Sequence, residues 1–594
     1  MAEIAMKLTA EQKLAADCPD NVLLRACPGS GKTRVITTKL MASIDDVRGT
    51  PRKTACITYT NSAVHEIEHR VAKSLMPEDD RYFDVSTIHS FCLTNIFGPF
   101  VWRVPGYGAG FRMLTRDMDE FEPLVKAACA TINYLNPTRQ DYDDFSNINV
   151  DINGKAIGSA LTSNIVARAA GKFWRLCRDH GYIDFCTLLY YSFWLIKKYH
   201  DIADGLASRY ALILVDEFQD TTDLQVEILS EIAARGRSRF FLVGDPYQSI
   251  YGFTGARPEL ADVFADRINA RRDLSLSGNF RSSKPVIADA ERLFARAPAM
   301  SAVGEACRFT ERTQYVHVND PLHAITDHFL PAVASLGIPL GEATILSPSW
   351  NPLFPLSRAL RDMGVSVVGP GARPYRGGRL FAGLAEQLCG YLVDGRPDSL
   401  PSIERGLFHL VQELTGHPRF GIFSYAGRVV VMRMIETARR LAEPDHGALR
   451  WLDECSISIG KLLVEADFIA PSHAPLLYIS VQEMKGDMRR NRFDPTNYTL
   501  EDLGLFASPQ RALKLSTLHN SKGREFDAVA MIKLHEGMIP FYRNKTEEEF
   551  EAARRLFYVG VTRARRLLMY ITDSADRRNT PTRFLGPDGV GLVA

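Results

Sequence analysis

A glycine-rich segment near the amino terminus has the residue types that bind phosphate groups. Residues 26–33 read Ala26-Cys27-Pro28-Gly29-Ser30-Gly31-Lys32-Thr33. An apolar run, Val22–Leu24, precedes the segment, and a stretch with helical composition follows it. Small residues let backbone N–H groups approach phosphates, the Lys32 ammonium reaches the β/γ oxygens, and the Thr33 hydroxyl is placed to ligate Mg²⁺. This segment predicts a nucleotide site that uses Mg²⁺.

Two adjacent acidic residues supply the other groups that such a site requires. Asp216 and Glu217 come directly after the apolar run Leu212–Val215. The carboxyl ends of parallel strands face the crevice in which open α/β sheets bind ligands. We therefore expect Asp216 to bind Mg²⁺ directly or through water, and Glu217 to act as the general base for the attacking water. The alternative is a strand that ends in solvated acids.

Further segments match the motifs of one known family, and they occur in that family's order. The matching segments are Leu8–Gln12, Thr58–Ala63, Ser86–Phe91, Asp216–Asp220, Val243–Phe253, Gly278–Ser283, Thr517–Phe526, Glu536–Pro540, Tyr558–Arg565 and Thr582–Leu585. With these segments, the chain resembles the superfamily 1A helicases of the UvrD/Rep/PcrA type over most of its length.

The resemblance implies that ATP is the nucleotide and that residues outside the phosphate-binding segment contact it. Those residues are Gln12 as the adenine reader, Arg34 near the base, Phe280 stacked on the adenine, Glu525 at the ribose and Gln248 as a γ-phosphate sensor. Two of the positions depart from the family pattern. Phe280 stands where a tyrosine is usual, so it can stack on adenine but lacks the hydroxyl. Thr254 stands where an arginine is frequent, and this second departure puts one phosphate or DNA contact in doubt.

Two arginines complete the expected catalytic set of Lys32, Glu217, Gln248, Arg281 and Arg563. By resemblance, Arg281 contacts the γ-phosphate and Arg563 is a second arginine finger. A positioned guanidinium stabilises the charge that phosphoryl transfer spreads over the γ oxygens, typically by ~10³–10⁵ in rate. If Arg563 sits on a second lobe, hydrolysis requires the lobes to close. Closure and reopening then couple ATP turnover to movement along a strand.

The same motifs contain the residues expected to hold single-stranded DNA. By resemblance, the contacts come from Tyr59, Asn61, His89, Phe253, Thr517 and His519. Aromatic side chains stack on bases with ~1–3 kcal/mol per base and little sequence preference. Core packing is the alternative for each aromatic, and for Tyr251 we expect that structural role.

Composition restricts the remaining possibilities. The chain has 594 residues, 71 basic and 70 acidic residues, and a formal net charge of +1. Any DNA site is therefore a local groove and not a globally basic surface. Ten cysteines without a CxxC pair indicate reduced, buried thiols. Since no amino-terminal apolar segment and no run of 18 apolar residues occurs, we expect a cytoplasmic protein without a membrane partner.

Two other patterns carry competing interpretations. His65-Glu66-Ile67-Glu68-His69 satisfies the HExxH pattern of zinc proteases, but in this family that segment is an ordinary amphipathic helix. The basic stretches Arg373–Arg379 and Lys485–Arg492 are either duplex DNA contacts or solvated loops.

Strand-like and helical stretches alternate along the chain, which predicts an α/β fold. Strands are expected at Thr54–Thr60, Asp84–Ser90, Leu212–Val215, Phe240–Val243 and Leu274–Ser277, and in a second sheet at Ala343–Leu346, Leu513–Thr517, Ala528–Lys533 and Leu567–Ile571. The resemblance implies two RecA-like parallel-sheet motor domains, each with a mainly helical insertion. We assign 1–93 and 185–282 to domain 1A, 94–184 to insertion 1B, 283–384 and 508–594 to domain 2A, and 385–507 to insertion 2B.

Three functional hypotheses remain. The first is an ATP-driven DNA translocase and helicase that moves 3′-to-5′ and acts at single-strand/duplex junctions, with the direction implied by resemblance alone. The second is a partner-gated motor subunit of a nuclease-containing complex, such as a Gabija-type anti-phage system. The third is an ATP-dependent binding switch that does not travel, which the complete set of catalytic residues disfavours. The pathway, whether DNA repair, antiviral defence or plasmid maintenance, stays open.

Overall fold

The computed structural model describes residues 8–72, 74–107, 110–395, 399–416, 419–442, 447–496, 498–574 and 580–586. The chain forms two compact units. The first comprises Met1–Phe309 and Lys545–Tyr558, and the second comprises Thr310–Asn544 and Val559–Ala594. Among the described residues, no helix is long and apolar enough to cross a membrane.

The first unit is built on a six-stranded sheet in which every neighbouring pair is parallel. In spatial order its strands are Ser275–Leu276, Val22–Ala26, Arg239–Gly244, Tyr210–Val215, Lys53–Thr58 and Phe83–Thr87. The central strands are almost continuously apolar and buried, as expected for strands covered on both faces. Their carboxyl ends therefore meet at one edge, where loops can converge on a ligand.

Helices flank this sheet and form its insertion. The α-helices of the first unit are Ala10–Asp17, Lys32–Val47, Asn61–Ala72, Ile88–Cys92, Gly98–Phe100, Phe121–Ala130, Arg139–Ser146, Asn164–Asp179, Phe185–Lys198, His200–Arg209, Asp223–Ala233, Leu260–Arg267 and Lys284–Leu293. Short paired strands lie at Arg112–Met113 with Tyr182–Ile183, Asn149–Val150 with Ala156–Ile157, and Gly278–Asn279 with Ser301–Ala302. The insertion has its own core around Phe121 and Phe173.

The second unit repeats the architecture with a second all-parallel six-stranded sheet. In spatial order its strands are Gln314–Val318, Ala564–Asp573, Phe526–Met531, Ala343–Ser347, Leu513–Thr517 and Val367–Val368. Its α-helices are Pro321–His323, Leu330–Ser335, Leu353–Asp362, Ala382–Asp394, Leu400–Thr415, Tyr425–Leu441, Ala448–Glu465, Ala474–Arg490 and Leu500–Gly504. Helix Glu547–Val561 begins in the first unit and ends in the second. The helical insertion packs around the fully buried Trp451.

The predicted α/β class, with two RecA-like parallel sheets and helical insertions, is confirmed. The four-subdomain boundaries stay predictions, and their ends at 1–7 and 587–594 lie outside the described residues. Several strand bounds differ from expectation. The strand expected at 54–60 spans Lys53–Thr58, and helix Asn61–Ala72 begins shortly after it. The strand expected at 84–90 ends at Thr87, because the Thr87 hydroxyl accepts from Ser90 N and caps a helix that begins at Ile88. The strand expected to reach Lys533 ends at Met531, since Lys533 has φ +57°.

The cysteines agree with a reduced protein, with one exception to the expected burial. All ten are free thiols, and eight are buried. Cys186 is half-buried and Cys307 is exposed, so the expectation of burial is wrong for Cys307. In the phosphate-binding segment, burial raises the pKa of the Cys27 thiol to about 12, so this thiol stays protonated at neutral pH.

Candidate active site

The phosphate-binding segment forms a turn that only glycine accommodates at two positions. Gly29 has φ +68° and Gly31 has φ +79°, and helix Lys32–Val47 begins immediately afterwards. A Cβ atom at Gly29 would lie 2.5 Å from Arg281 Cβ, and one at Gly31 would lie 2.7 Å from Gln12 Nε2. The segment is therefore a narrow cradle at a helix N-terminus, as the sequence predicts.

Gln12 is attached to this cradle. It closes a capping box at the start of helix Ala10–Asp17: Gln12 N donates to Thr9 Oγ1 and Thr9 N donates to Gln12 Oε1. Its side-chain nitrogen Nε2 donates to Ser30 O at 2.8 Å, and the residue is buried. These bonds hold the amide beside the phosphate-binding loop, and its adenine contact stays a prediction.

Lys32 and Glu217 are paired across the sheet edge. Lys32 Nζ lies 3.3 Å from both carboxylate oxygens of Glu217. Burial lowers the pKa of Lys32, but the carboxylates of Glu217, Asp216 and Asp245 raise it more, so the pKa lies above its ordinary value. Lys32 therefore remains a cation in a largely enclosed site, which suits a phosphate contact.

Asp216 and Glu217 occupy unusual environments directly after strand Tyr210–Val215. Burial and the neighbouring Glu217 charge together raise the pKa of Asp216 to about 7, although the Lys32 charge opposes both. Glu217 itself has φ +51°, a strained conformation for a residue other than glycine. Backbone strain and crowded acids of this kind concentrate where a site is arranged for a ligand or a reaction.

A hydrogen-bonded chain leads from Glu217 to Gln248. Gln219 Nε2 donates to Glu217 Oε2, while Gln219 Oε1 accepts from Asp245 N at 3.0 Å. The Asp245 carboxylate then accepts from Gln248 Nε2 at 2.7 Å. Gln219 and Asp245 were not among the predicted site residues, although both lie inside the recognised motifs.

Residues 279–281 are fastened to the phosphate-binding loop. Phe280 N donates to Gly29 O at 2.8 Å, and the Asn279 side-chain oxygen accepts from the backbone nitrogens of Arg281 and Ser282. The structure therefore brings Arg281 beside the cradle, while the ring of Phe280 is 40% exposed. Asn279 shapes this turn and was missed by sequence reasoning.

Arg563 and Glu525 belong to the second unit and have partners there. Arg563 is buried, and its guanidinium donates to Val559 O at 3.0 Å, Arg524 O at 3.0 Å and Thr562 Oγ1 at 3.2 Å. The Glu525 carboxylate accepts from Arg565. Their predicted roles at the γ-phosphate and the ribose stay predictions.

An aromatic surface of the first unit contains two predicted DNA contacts. Tyr59 stacks on Tyr251 with ring centroids 5.1 Å apart, and Tyr251 meets the Phe253 ring edge-on at 6.0 Å. Phe253 is 56% exposed. Tyr251 thus supports the two rings, consistent with the structural role expected of it, and Phe253 presents an apolar face to solvent.

The other predicted strand contacts of the first unit are His89 and Asn61. His89 packs edge-on against Phe185 at 5.4 Å, and burial lowers the pKa of His89. Phe185 is 51% exposed and was missed by sequence reasoning, because a single aromatic before a helical run gives no signal of its own. Asn61 begins helix Asn61–Ala72 and is exposed.

In the second unit the predicted contacts Thr517 and His519 follow strand Leu513–Thr517. Thr517 is buried and its hydroxyl accepts from Asn520 N, while burial and the Lys522 charge lower the pKa of His519. Phe541 and Tyr542 are adjacent in the chain, are exposed and follow Gly537, which has φ +88°.

The two basic stretches are engaged in ion pairs. Arg379 binds the Asp487 carboxylate and also Glu483, Arg373 binds Glu386, and Lys485 binds Asp453. In the HExxH segment, His65 is 80% exposed and contacts Glu68. These partners favour the structural interpretations of both patterns.

The residues present fit a magnesium-bound nucleoside triphosphate. The cradle has no room for a Cβ, Lys32 carries a retained positive charge, and Thr33 and Asp216 offer the hydroxyl and carboxylate oxygens that Mg²⁺ prefers. When bound, the metal neutralises charge on the phosphate oxygens. We expect the segment Ala26–Thr33 to hold the phosphates.

The fold and this site define the class of the protein as a P-loop nucleotide hydrolase with two RecA-like sheets. Residues 8–269 match the UvrD/REP helicase N-terminal domain, and residues 496–575 match the UvrD-like helicase C-terminal domain. The chain belongs to the UvrD/Rep/PcrA type of superfamily 1A helicases.

Relatives align along nearly the whole chain. ATP-dependent DNA helicase Rep of Salmonella typhimurium is 25% identical over 95% of this chain and 91% of the relative. Rep of Escherichia coli shows the same identity and coverage, and ATP-dependent DNA helicase PcrA of Leuconostoc citreum is 25% identical over 95% of this chain and 82% of its own length.

Proposed function

We propose that this protein is an ATP-dependent DNA helicase that translocates 3′-to-5′ on single-stranded DNA and separates strands at single-strand/duplex junctions. One observation carries the proposal. A chain of contacts runs from Lys32 through Glu217 and Gln219 to Asp245 and Gln248, and the segment after Gln248 presents Phe253. A phosphate-binding lysine and an exposed base-stacking candidate are thus joined by hydrogen bonds and a short length of backbone.

Hydrolysis uses the residues of the cradle and its surroundings. Glu217 orients and deprotonates the attacking water, and Lys32 and Arg281 hold the phosphate charge. Gln248 responds to the γ-phosphate. Thr33 and Asp216 hold Mg²⁺. Arg563 of the second unit supplies further positive charge during hydrolysis.

Strand binding uses stacking rather than base-specific contacts. The exposed Phe253 ring, supported by Tyr251 and Tyr59, is suited to stack on a base of any identity. Phe185 offers a second face beside His89. The use of DNA rests on the relatives, whose names describe ATP-dependent DNA helicases. The polarity rests on the family resemblance alone.

A partner-gated motor subunit is the second candidate. It is favoured by the Arg563 guanidinium, which is bound to carbonyl oxygens of Val559 and Arg524 in its own unit. A second protein, for example a nuclease subunit, would then release this arginine and start hydrolysis. Such a protein would hydrolyse ATP slowly by itself even with DNA present.

Steady-state ATP hydrolysis, with and without single-stranded DNA, separates the two candidates. Strong stimulation by DNA alone supports the self-sufficient helicase, and displacement of a labelled strand from 3′-tailed against 5′-tailed duplexes then tests the polarity. Weak hydrolysis by a folded, ATP-binding chain supports the gated subunit. Absence of nucleotide binding would contradict both.

A further inference from the structure

Arg296 is a buried cation that none of the recognised motifs contains. It follows helix Lys284–Leu293, and the Glu291 carboxylate anchors its loop by accepting from Arg296 N at 3.0 Å and Met300 N at 2.7 Å. The Arg296 side chain is only 10% exposed. Burying a guanidinium is costly, so its partners are informative.

One nitrogen of this guanidinium contacts two different segments. Arg296 Nη2 donates to Asp245 Oδ1 at 2.5 Å and to the Tyr558 hydroxyl at 2.8 Å. Burial lowers the pKa of Arg296, but the Asp245 carboxylate and the hydrogen bonds to Asp245 and Tyr558 raise it more, so the group stays charged. Arg296 therefore joins the strand end that contains Asp245 to residues 545–558, all within the first unit.

The contact with Asp245 bears directly on Gln248. Asp245 is fully buried, and its second oxygen accepts from Gln248 Nε2. A carboxylate oxygen only accepts hydrogen bonds, so this contact turns the amide nitrogen of Gln248 toward Asp245. Without the arginine, Asp245 would be a buried carboxylate without its cation, and its remaining hydrogen bonds would rearrange. Such a rearrangement would alter the contact that orients Gln248.

Tyr558 occupies the other side of the same cation. Its ring is fully buried and meets Phe294 edge-on at 5.5 Å and Tyr247 at 6.2 Å. Arg296 lies 4.8 Å from the centre of the Tyr247 ring, at cation–π distance. Tyr558 belongs to helix Glu547–Val561, and Arg563 comes a few residues later.

We propose that Arg296 is a positioning residue that makes the orientation of Gln248 depend on the docking of residues 545–558. The shared nitrogen binds Asp245 and Tyr558 at once, so loss of either contact alters the geometry of the other. Hydrolysis is then fastest when the segment preceding Arg563 is docked. This inference rests on the proposed function, because it assigns a role in the same ATP site.

The electrostatic environment of Cys27 supports the location of Arg296 and Asp245 near the phosphate-binding loop. Burial dominates the pKa of the Cys27 thiol, but Arg296 lowers it and Asp245 raises it. Both charges therefore lie close enough to act on that loop.

The test uses Tyr558→Phe and Arg296→Gln, with Arg296→Lys as the conservative variant. Arg292→Gln is the matched control, since Arg292 lies in the preceding helix with a 47% exposed side chain. For each protein, kcat and KM for ATP are measured with saturating oligo-dT, together with the Kd of a fluorescent ATP analogue and the melting temperature.

The removal of one hydroxyl in Tyr558→Phe should lower kcat about tenfold with Kd within about twofold. Arg296→Gln should lower kcat further, and Arg296→Lys should recover part of the loss because it keeps a charge at Asp245. The double variant Arg296→Gln/Tyr558→Phe should be no slower than Arg296→Gln alone, because both changes break one shared contact. Arg292→Gln should behave as the wild type.

Three results would overturn the inference: wild-type kcat in Tyr558→Phe, additive losses in the double variant, or a fall in nucleotide affinity and melting temperature that parallels kcat. If Arg296→Gln does not fold, the comparison of kcat between Tyr558→Phe and the wild type tests the inference. A wild-type protein without DNA-stimulated hydrolysis would instead contradict the proposed function, and this is known before any variant is made.

Discussion

The two six-stranded parallel sheets share an architecture but differ in the loops at the carboxyl ends of their strands. In the first, strand Val22–Ala26 leads into a glycine cradle and a long helix. In the second, the centrally placed strand Ala343–Ser347 leads to a loop and then to helix Leu353–Asp362, which Pro352 precedes. A sheet of this kind is a platform, and the loop chemistry at its carboxyl edge decides whether it binds phosphate.

The distribution of buried charge shows the same contrast. The first edge concentrates Lys32, Asp216, Glu217 and Asp245, joined by hydrogen bonds. At the second, the carboxylate of Asp573, the last residue of its strand, accepts from Lys533 and His535, which follow strand Phe526–Met531. We therefore assign nucleotide chemistry to the first sheet and supporting contacts to the second.

Lys32→Ala is expected to have the largest effect on ATP hydrolysis, and it tests whether the hydrolysis site lies at the first sheet. The loss of the phosphate cation should lower kcat for ATP by about 10³-fold. Steady-state hydrolysis measures it, with Lys13→Ala as the control, because Lys13 is an exposed lysine on helix Ala10–Asp17. Near-normal turnover in Lys32→Ala would show that the first sheet is not the hydrolysis site.

The next effect tests what the second unit adds. Arg563→Ala should lower kcat by about 10²–10³-fold while the nucleotide Kd changes by less than about threefold, because the arginine acts on charge that develops during transfer. Arg563→Lys should recover little, since lysine lacks the planar fork. Nucleotide binding and single-turnover hydrolysis check this. A collapse of affinity at a normal rate would contradict the finger role.

Much of the first edge could be predicted because its chemistry is local in sequence. Eight consecutive residues specify the cradle, and Asp216 with Glu217 comes directly after an apolar strand, so short-range patterns contain both. The fold class was predictable for the same reason, since buried parallel strands give continuous apolar runs.

The parts that sequence did not reveal depend on long-range contacts. Arg296 Nη2 and the Tyr558 hydroxyl are 2.8 Å apart in space but far apart in the chain. Arg296 does not look unusual among its neighbours, and the motif that contains Tyr558 gives no sign of this contact. The short strand Val367–Val368 was also missed, because two residues give no periodicity. Arg563 was assigned a role by its motif, yet its carbonyl partners could be known only from the structure.

Substitutions in the two units should differ, by a smaller amount, in how much they weaken the affinity for single-stranded DNA. Phe253→Ala should weaken oligo-dT binding by ~1–3 kcal/mol, because an exposed stacking face is lost. Phe253→Trp should keep the affinity, and His519→Ala should cost less than Phe253→Ala, since His519 is largely enclosed. Fluorescence anisotropy measures all three. An equal loss from His519→Ala would place strand binding on both units alike.

The smallest predicted effect compares His89 of the first unit with His519 of the second through the pH dependence of stability. Burial lowers the pKa of His89 below 6.5, and burial together with the Lys522 charge lowers that of His519. Well above pH 6.5 both histidines are neutral in the folded and unfolded chains and contribute nothing. Below it, the unfolded chain binds the protons first, so stability falls with pH by at most ~1.4 kcal/mol per pH unit for each histidine.

The dependence of stability on salt concentration distinguishes burial from the Lys522 charge as causes of the lowered histidine pKa values. Denaturation at pH 7.5 and 5.5 should show a smaller stability difference in His89→Asn and in His519→Asn than in wild type. Because Coulomb repulsion is screened and desolvation is not, the His519 contribution should shrink in high salt while the His89 contribution persists. Salt-independent contributions from both would remove Lys522 as a cause, and the two units would then differ in loop chemistry but not in the electrostatics of these enclosed histidines.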